Sequence, residues 1–395
     1  MAETARRVAL YAAVGPELTH YEVDVAGAAL TRRATIELPA NVQYAWPHAA
    51  RPILYVASSD SASGVGGFVG SNHHVSALAI DRATGALSPL GQPIPLPSRP
   101  IHMTTDIPSQ HILVAFPNPS GLKVYRVNAD GTPGAEVTQR DDIHPGIYAH
   151  QVRVRPDNRS VILVARGHDP TPDRDEEPGG LLVFDYANGQ LSNEAIVAPA
   201  GGYGFGPRHI DFHPTHPWVY VALERQNRLD TFAFHDRMLL AAPIARHTTL
   251  ADPDNVGGRQ VASTVHVHPN GRAVYVANRG SSTTSIRSAG LPATGDNTLA
   301  VFSLDPANGE PVPRQHIGAG GIHCRTFHID PSGRLLAAAH IMGLPVTAPG
   351  GETRPGPAAL ALFRIADDGT LALARQYEIE VGQRQMFWMG MVGLS

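Results

Sequence analysis

Short runs of alternating apolar and polar residues recur along the chain, and each run leads through a turn into a second, more continuous apolar run. The clearest copy extends from His209 to Pro214 and continues into the apolar run 218–222. Two more clear copies begin at Val265 and Thr326. Alternation over about four to eight residues is typical of a β-strand with one buried face. The pattern therefore predicts a chain of short strands with little helix.

The copies of this pattern are regularly spaced. Weaker ones begin near Tyr44, His102 and His150, and the last begins near Met386, so the pattern returns about every 48 to 62 residues. A period of this size with several strands in each unit is typical of a β-propeller. A turn such as that at 81–85 often follows the third strand of a unit. Asp and Gly favour a turn here, because Asp caps it through side-chain hydrogen bonds and Gly adopts the positive φ that it requires.

The two ends of the chain are expected to complete one unit together. Six units begin inside the chain with a full set of strands, whereas the unit that begins at Met386 has room for only one. Three N-terminal strands, at 8–13, 18–25 and 28–38, have no unit of their own. We therefore predict an all-β, seven-bladed β-propeller with four antiparallel strands per blade, its last blade closed by N- and C-terminal strands. Residues 1–395 are expected to form this single domain.

Blade geometry predicts which end of the ring carries the functional site. In the unit that begins near Arg208, the strands are expected at 209–212, 218–223, 229–234 and 239–246. Because the first two strands are antiparallel, the start of the first and the end of the second lie on one face, with the loops between the second and third strands. Four of these loops are long, at 58–74, 166–180, 280–297 and 341–357. Long insertions on one face indicate the functional mouth.

The strand ends at this predicted mouth are unusually polar. The candidate residues there are His102, His150, Arg208, His209, Glu224, Asn278, Arg279, His323, Arg325 and His340. Guanidinium groups bind carboxylate or phosphate through paired hydrogen bonds, so several arginines around one channel predict an anion site. A carboxylate among them can accept a proton or orient water, and a histidine has the pKa range for acid or base work.

Structural interpretations of the same residues stay open. Each histidine can equally form hydrogen bonds across a propeller channel, and Glu224 can form a purely structural pair with Arg208. The single cysteine, Cys324, is expected to be a buried, unreactive thiol. His73 and His74 have no third ligand at a diagnostic spacing, so no metal is expected, and no cofactor motif is present. The other strand histidines are interpreted as scaffold: His213, His266, His268 and His328.

Composition limits the partners and the compartment. The net charge of −4 provides no basic field for nucleic acid. One cysteine excludes an intrachain disulfide and fits a reducing compartment. No apolar run approaches the ~18 residues of a membrane helix, and the short apolar run after Arg7 lacks the length of a signal sequence. We expect a cytoplasmic protein with no membrane and no nucleic-acid partner, present as a monomer or small homo-oligomer.

Several segments resemble the seven-bladed lactonase family, which includes the propeller-type 6-phosphogluconolactonases and the fungal carboxy-cis,cis-muconate cyclases. The most specific are the Pro-Arg-His segment at 207–209 and the Asn-Arg-Gly segment at 278–280. The resemblance also includes the segments 213–224, 268–277 and 325–333. In the muconate cyclases a histidine, two arginines and a glutamate are proposed to form the site. By motif these roles fall on His150, Arg208, Glu224 and Arg279.

The resemblance and the mouth residues together predict a lactonase that hydrolyses a small anionic sugar or carboxylic acid lactone. Arg208, Arg279 and Arg325 would hold the anion, and Glu224 or His150 would activate water. The other expected substrate-binding residues are His102, His209, His323, Asn278 and His340. Neither a metal nor a cofactor is required. Two alternatives stay open: a muconate-type cycloisomerase that uses the same residues, and a non-catalytic ligand-binding or scaffold propeller.

Overall fold

The computed structural model describes residues 7–63, 67–254, 260–280, 297–341, 344–347 and 353–394. Apart from one separate two-stranded hairpin, these residues form seven antiparallel sheets, which we number as blades in chain order. Blade 1 contains β4 (Asn41–Pro47), β5 (Ile53–Ser59), β6 (His73–Ile80) and β7 (Leu87–Pro95). Blade 2 contains β8 (His102–Thr105), β9 (His111–Pro117), β10 (Ser120–Val127) and β11 (Pro133–Glu136). Blade 3 contains β12 (Ala149–Val154), β13 (Ser160–Ala165), β14 (Gly180–Ala187) and β15 (Gln190–Val197).

The second half of the ring continues the same order. Blade 4 contains β16 (Pro207–Phe212), β17 (Trp218–Leu223), β18 (Arg228–His235), β19 (Met238–Leu239) and β20 (Ala245–Thr248). Blade 5 contains β21 (Gln260–Val267), β22 (Ala273–Gly280), β23 (Thr298–Leu304) and β24 (Pro311–Gly318). Blade 6 contains β25 (Cys324–Ile329), β26 (Leu335–His340), β29 (Ala358–Ile365) and β30 (Leu371–Ile379), and a hairpin of β27 (Leu344–Thr347) and β28 (Thr353–Gly356) precedes β29.

Blade 7 joins the two ends of the chain. Its strands are β1 (Val8–Val14), β2 (Glu17–Asp24), β3 (Ala29–Glu37) and β31 (Met386–Gly393). The C-terminal β31 pairs antiparallel with the N-terminal β1 and is the innermost strand of the blade. The mixed closure expected from the sequence is therefore confirmed: β31 covers the edge of β1 and ties the two ends of the chain together.

The seven innermost strands surround a central channel. In ring order they are β4, β8, β12, β16, β21, β25 and β31, and each contacts the next. Their first residues lie at one mouth, which we call the upper mouth, and their last residues lie at the other, the lower mouth. The ring therefore brings residues far apart in sequence around one axis.

Buried tyrosines connect neighbouring blades. In four blades, a tyrosine of the second strand donates its hydroxyl hydrogen to a glycine carbonyl in the next blade, in the turn between the third and fourth strands. The pairs are Tyr11 with Gly85, Tyr55 with Gly131, Tyr220 with Gly309 and Tyr275 with Gly369, at 2.8–3.0 Å. These turn glycines have positive φ, so the turns predicted from Asp and Gly spacing also carry the contacts between blades.

One detail differs from the sequence prediction. The fourth strand of blade 4, expected at 239–246, is broken into β19 and β20, which both pair with β18. Pro243 lies in the gap and has no N–H to donate to a continuous ladder. Of the predicted long loops, most of 280–297 and parts of 341–357 lie outside the described residues. Within the described residues, no helix is long and apolar enough to cross a membrane.

Candidate active site

Irregular pairing of the innermost strands positions the side chains at the upper mouth. The pairing register of the first and second strands shifts by one residue at Gln43, His150, Arg208 and Arg325. Each of these residues is the extra, unpaired residue of a β-bulge. A bulge bends its strand and redirects a side chain. Register shifts also occur in blade 7, at Phe387, and in blade 5 between Ala262 and Val265. Three of the four residues named first are predicted site residues.

Glu224 is the centre of the upper site. It directly follows β17, and three guanidinium groups surround its carboxylate. Arg166 donates from Nε to Oε2, Arg279 donates from Nη2 to Oε1, and Arg208 Nε lies 3.2 Å from Oε1. The Glu224 and Arg208 side chains are 9% and 1% exposed, so this cluster is shielded from bulk water. The structure therefore brings Arg208, Glu224 and Arg279 together, as predicted.

Arg166 belongs to the same cluster but was not among the predicted site residues. It directly follows β13, which is the position in blade 3 that Glu224 occupies in blade 4. The rule that selected Glu224 could therefore have found it. A network of ion pairs holds this arginine and its loop: Arg166 with Asp169, Arg225 with Asp169 and Glu176, and His168 with Glu177.

Electrostatics keep the Glu224 carboxylate ionised. Burial raises its pKa, but Arg166, Arg279 and Arg208 outweigh burial and hold the pKa well below its ordinary value. Burial and the neighbouring Arg279 lower the pKa of Arg208 to about 9, although Glu224 opposes them. Arg208 Nη1 and Arg279 Nε are buried and have no hydrogen-bond partner. These two donors are therefore available for a bound anion or oxyanion.

Three buried histidines at the starts of the inner strands contact one another: His102, His150 and His209. The His150 and His209 ring centroids are 5.3 Å apart, and those of His209 and His102 are 6.0 Å apart. Burial, reinforced by Arg208, lowers the pKa of His150 and His209 well below the usual range. The expectation that His150 titrates in the ordinary histidine range is therefore corrected: desolvation keeps it neutral at neutral pH. A neutral imidazole can act as a base but not as a ready acid.

His323 orients Arg279. Its Nδ1 lies 2.7 Å from the carbonyl of Gly280, so Nδ1 carries the proton and donates it. Its Nε2 is then free to accept a hydrogen bond from Arg279 Nη1 at 3.2 Å. Burial and the Arg279 charge lower the pKa of His323 to about 3, so this tautomer persists.

A second cationic group lies beside the Glu224 cluster. The Arg325 guanidinium lies 3.5 Å from the centroid of the Phe387 ring, and that of Arg99 lies 5.6 Å from it. Arg99 Nε also donates to Gln43 at 2.8 Å. Burial lowers the pKa of both arginines, and for Arg325 the charges of Arg208, Arg279 and Arg99 add to this effect. Arg99 was missed by the sequence reasoning, although it lies just before β8, at a strand start.

Two predicted residues point away from the cluster. Asn278 Nδ2 donates to the carbonyl of Thr249 at 2.5 Å and to Thr298 Oγ1 at 3.1 Å, so its side chain ties strands together. His340 is fully buried, and its Nδ1 bonds the carbonyl of Ala359 inside blade 6.

Cys324 is buried, which raises its pKa to about 12 and keeps the thiol protonated. Among the described residues, no three His, Cys, Asp or Glu side chains are grouped as metal ligands.

The family model for the seven-bladed β-propeller lactonase matches residues 8–344. The chain belongs to the seven-bladed β-propeller lactonase family. This confirms the resemblance drawn from the Pro-Arg-His and Asn-Arg-Gly segments. The described strands, in seven sheets around one channel, confirm the fold predicted for the family.

Similar proteins within this family carry lactonase names. The 6-phosphogluconolactonase of Bacillus subtilis is 26% identical over 327 residues, which cover 81% of this chain and 83% of that protein. The enzyme of the same name from Cronobacter sakazakii is 27% identical over 266 residues, or 67% of this chain and 70% of that protein. The solved structure of the periplasmic gluconolactonase of Pseudomonas aeruginosa superposes with a TM-score of 0.69 at 19% identity. It covers 98% of this chain and 100% of that one, and at this identity it shows the fold alone.

Proposed function

We propose that this protein hydrolyses a small anionic lactone, a sugar lactone or a carboxylic acid lactone, at the upper mouth. The observation that carries the proposal is one ionised carboxylate, Glu224, held by three guanidiniums beside a neutral, buried His150. Lactonase family membership and the names of the relatives support the reaction class.

The arginines divide into two groups with different tasks. Arg166, Arg208 and Arg279 share the charge of Glu224, so their combined charge is partly compensated. Arg99 and Arg325 flank Phe387, and no ion pair between either of them and a carboxylate is found in the described part of the chain. Two buried cations without a counterion favour binding of the substrate anion. We therefore propose Arg325 and Arg99 as the anchor for the phosphate or carboxylate.

The Glu224 cluster then faces the reacting carbonyl. Three guanidiniums stabilise the charge of Glu224, and burial lowers the pKa of neutral His150 as well. We assign proton acceptance to His150 because its Nδ1 is buried without a hydrogen-bond partner, whereas both carboxylate oxygens of Glu224 are already bonded to arginines. A ring nitrogen of His150 takes a proton from water as the water oxygen bonds to the lactone carbonyl carbon. The carbonyl oxygen becomes an oxyanion, which the free N–H groups of Arg208 and Arg279 stabilise. When the ring C–O bond breaks, the imidazolium returns the proton to the alkoxide, which yields the open hydroxy acid.

Glu224 supports this proton transfer without being the base. Its negative charge raises the pKa of His150 against the opposing effects of burial and Arg208, so it stabilises the imidazolium as it forms. It also holds three arginines in place. The proposal therefore predicts that both residues matter, but in different ways.

The test is a hydrolysis screen with a pH indicator. The panel is phosphorylated aldonolactones, plain aldonolactones and muconolactones, and the enzymes are wild type, Glu224→Gln, His150→Phe and the surface control Glu22→Gln. We expect acid release by wild type on at least one class. The value of kcat should fall at least about a hundredfold in His150→Phe, since a general base contributes about 10²–10⁴-fold. Glu224→Gln should lower kcat and also change KM, because its arginines lose their common partner.

Glu22 is an exposed glutamate paired with Arg33, so Glu22→Gln should match wild type. If no lactone releases acid, hydrolysis of this panel is ruled out. A change of substrate isomer at constant mass would then indicate the cycloisomerase, and ligand binding without turnover would indicate a binding propeller. Full activity in His150→Phe with loss in Glu224→Gln would transfer the role of base to Glu224.

A further inference from the structure

The lower half of the central channel is a separate cavity of about 550 Å³. All seven innermost strands line it: Trp46 from β4, Thr104 from β8, Arg153 from β12, Asp211 from β16, His266 from β21, Thr326 from β25 and Met389 from β31. Ligand pockets are typically about 300–1,000 Å³, largely apolar and aromatic, with a few polar groups. This cavity has that size and that composition.

Aromatic rings in contact with one another lie between the cavity and the upper site. The Tyr44 ring lies 4.0 Å from that of His102, and the His102 and His209 centroids are 6.0 Å apart. His102 is fully buried and His209 is 4% exposed. Tyr44 lines the lower cavity, whereas His209 contacts His150 of the upper site. The lower cavity is therefore a compartment distinct from the proposed active site.

Charge inside the lower cavity is compensated. Arg153 Nη2 donates to Asp211 at 2.9 Å, and Asp211 also accepts hydrogen bonds from the backbone N–H groups of Phe212 and Val267. Asp106, at the rim, is bonded to His111 at 2.9 Å. The free cations of the upper mouth have no counterpart here, so a charged ligand would lose its hydration without gaining an opposite charge.

Several aromatic side chains contribute to the lining. The Arg153 guanidinium lies 5.2 Å from the Trp46 ring centroid and 5.8 Å from that of Phe212, and Trp388 borders the same space. Thr326 Oγ1 is buried on the cavity wall and has no hydrogen-bond partner. A buried polar atom without a partner carries a free-energy cost, which a ligand that hydrogen-bonds to it would remove.

We propose that the lower cavity binds a small neutral aromatic molecule that carries one hydrogen-bonding group, such as an amide or a hydroxyl. Its ring would stack against Trp46 and Trp388, and its polar group would bond to Thr326 Oγ1. This site is independent of the lactonase proposal, since it shares none of the residues of the Glu224 cluster.

The chain offers a direct optical test. Its three tryptophans are Trp46, Trp218 and Trp388, and two of them line the cavity while Trp218 lies in blade 4. In a Trp218→Phe protein, tryptophan fluorescence therefore reports on the cavity alone. The probes are benzamide, the isosteric anion benzoate and the non-planar cyclohexanecarboxamide. Calorimetry on the protein with Trp218 intact provides a second readout. A double variant, Arg99→Ala with Arg325→Ala, is added when benzoate is tested, so that both proposed anion anchors at the upper mouth are removed.

We expect benzamide to give saturable binding, at least about tenfold tighter than benzoate or cyclohexanecarboxamide. Thr326→Leu and, as a second variant, Thr104→Leu should weaken benzamide at least about tenfold, whereas Arg325→Ala should leave its affinity within about twofold. Thermal melting would establish that each variant is folded. Three outcomes would overturn the proposal: no saturable binding, which would leave a water-filled channel; benzoate binding as tightly as benzamide; or loss of benzamide binding in Arg325→Ala but not in Thr326→Leu.

Discussion

Glu224 is stable as a buried anion because each of its carboxylate oxygens is held by at least one guanidinium. Arg279 and Arg208 lie at Oε1, and Arg166 donates to Oε2. A buried carboxylate without partners would instead be protonated. The arginines in turn depend on the negative charge of Glu224, because five positively charged guanidinium groups converge at one mouth of the channel. The chemistry of the site is therefore a property of this set of charges and of no single residue.

Arg166 provides the residue-scale prediction. Arg166→Lys keeps the charge but removes the planar fork that donates to Glu224 Oε2. We expect kcat/KM for the lactone substrate to fall about 10- to 100-fold, while the folded protein retains its thermal midpoint within a few degrees. The measurement is steady-state kinetics together with thermal melting.

The matched control for this change is Arg33→Lys, which alters an exposed arginine paired with Glu22. An exposed pair contributes little, so this variant should behave as wild type. Unchanged kinetics in Arg166→Lys would show that Arg166 has only a structural role.

At the scale of elements, bulges and interblade bonds have separate tasks. The bulges at His150, Arg208 and Arg325 direct side chains into the channel. The tyrosine hydroxyls on the second strands donate to glycine carbonyls in the turns of the next blade. The bulges determine which side chains enter the site. The tyrosine–glycine hydrogen bonds hold the blades in the ring that brings those side chains together.

Tyr220→Phe tests the tyrosine–glycine hydrogen bonds. The change removes the hydroxyl that donates to the Gly309 carbonyl at 3.0 Å and leaves that carbonyl without its partner. We expect the free energy of unfolding to fall by about 1–2 kcal/mol, as measured by urea unfolding. Tyr203 is 56% exposed, so Tyr203→Phe is the control and should change little. Equal stability of the two variants would argue against a role for the interblade bond.

At the scale of the whole molecule, the channel holds two compartments with different electrostatics. The upper one has excess positive charge around Glu224, and the lower one pairs Arg153 with Asp211. Histidine and tyrosine rings in tilted and edge-on contact lie between them. Several histidines in the channel and within the blades are kept neutral by burial, and this makes the stability of the ring depend on pH.

Acid should therefore destabilise the protein below about pH 6.5. Burial lowers the pKa of His323 and His328 to about 3 and that of His340 to about 4 in the folded chain, whereas the unfolded chain titrates near 6.5. Between these values the unfolded state binds more protons, so stability is lost as the pH falls, by roughly 1 kcal/mol per pH unit for each such histidine. Urea unfolding from pH 7.5 to pH 5 measures this slope.

The contribution of one histidine to this slope can be separated. His328→Leu removes a buried group whose pKa is lowered, so its stability should depend less steeply on pH than that of wild type. His235 is exposed at the end of β18, and His235→Leu should leave the slope unchanged. A slope that is the same in all three proteins would exclude His328 as a contributor.

Strand alternation, turn residues and the spacing of the repeats were enough to predict seven blades and their closure by β1 and β31, because these features are local and repeat in each unit. They also placed Arg208, Glu224 and Arg279 at one mouth, since strand direction follows from strand order. The same rule extends to Arg166 and Arg99, which the analysis of the sequence did not select.

Other properties depended on the packed ring. Local pattern cannot show that Asn278 turns towards Thr249 or that His150 is held neutral, because rotamers and desolvation depend on neighbours from other blades. The register shifts that direct His150, Arg208 and Arg325 inwards arise from pairing between strands. The sequence by itself determined the architecture and the mouth at which the polar residues gather. Only the tertiary structure decided which of them meet and in what charge state, because both depend on distances across the channel between residues far apart in the chain.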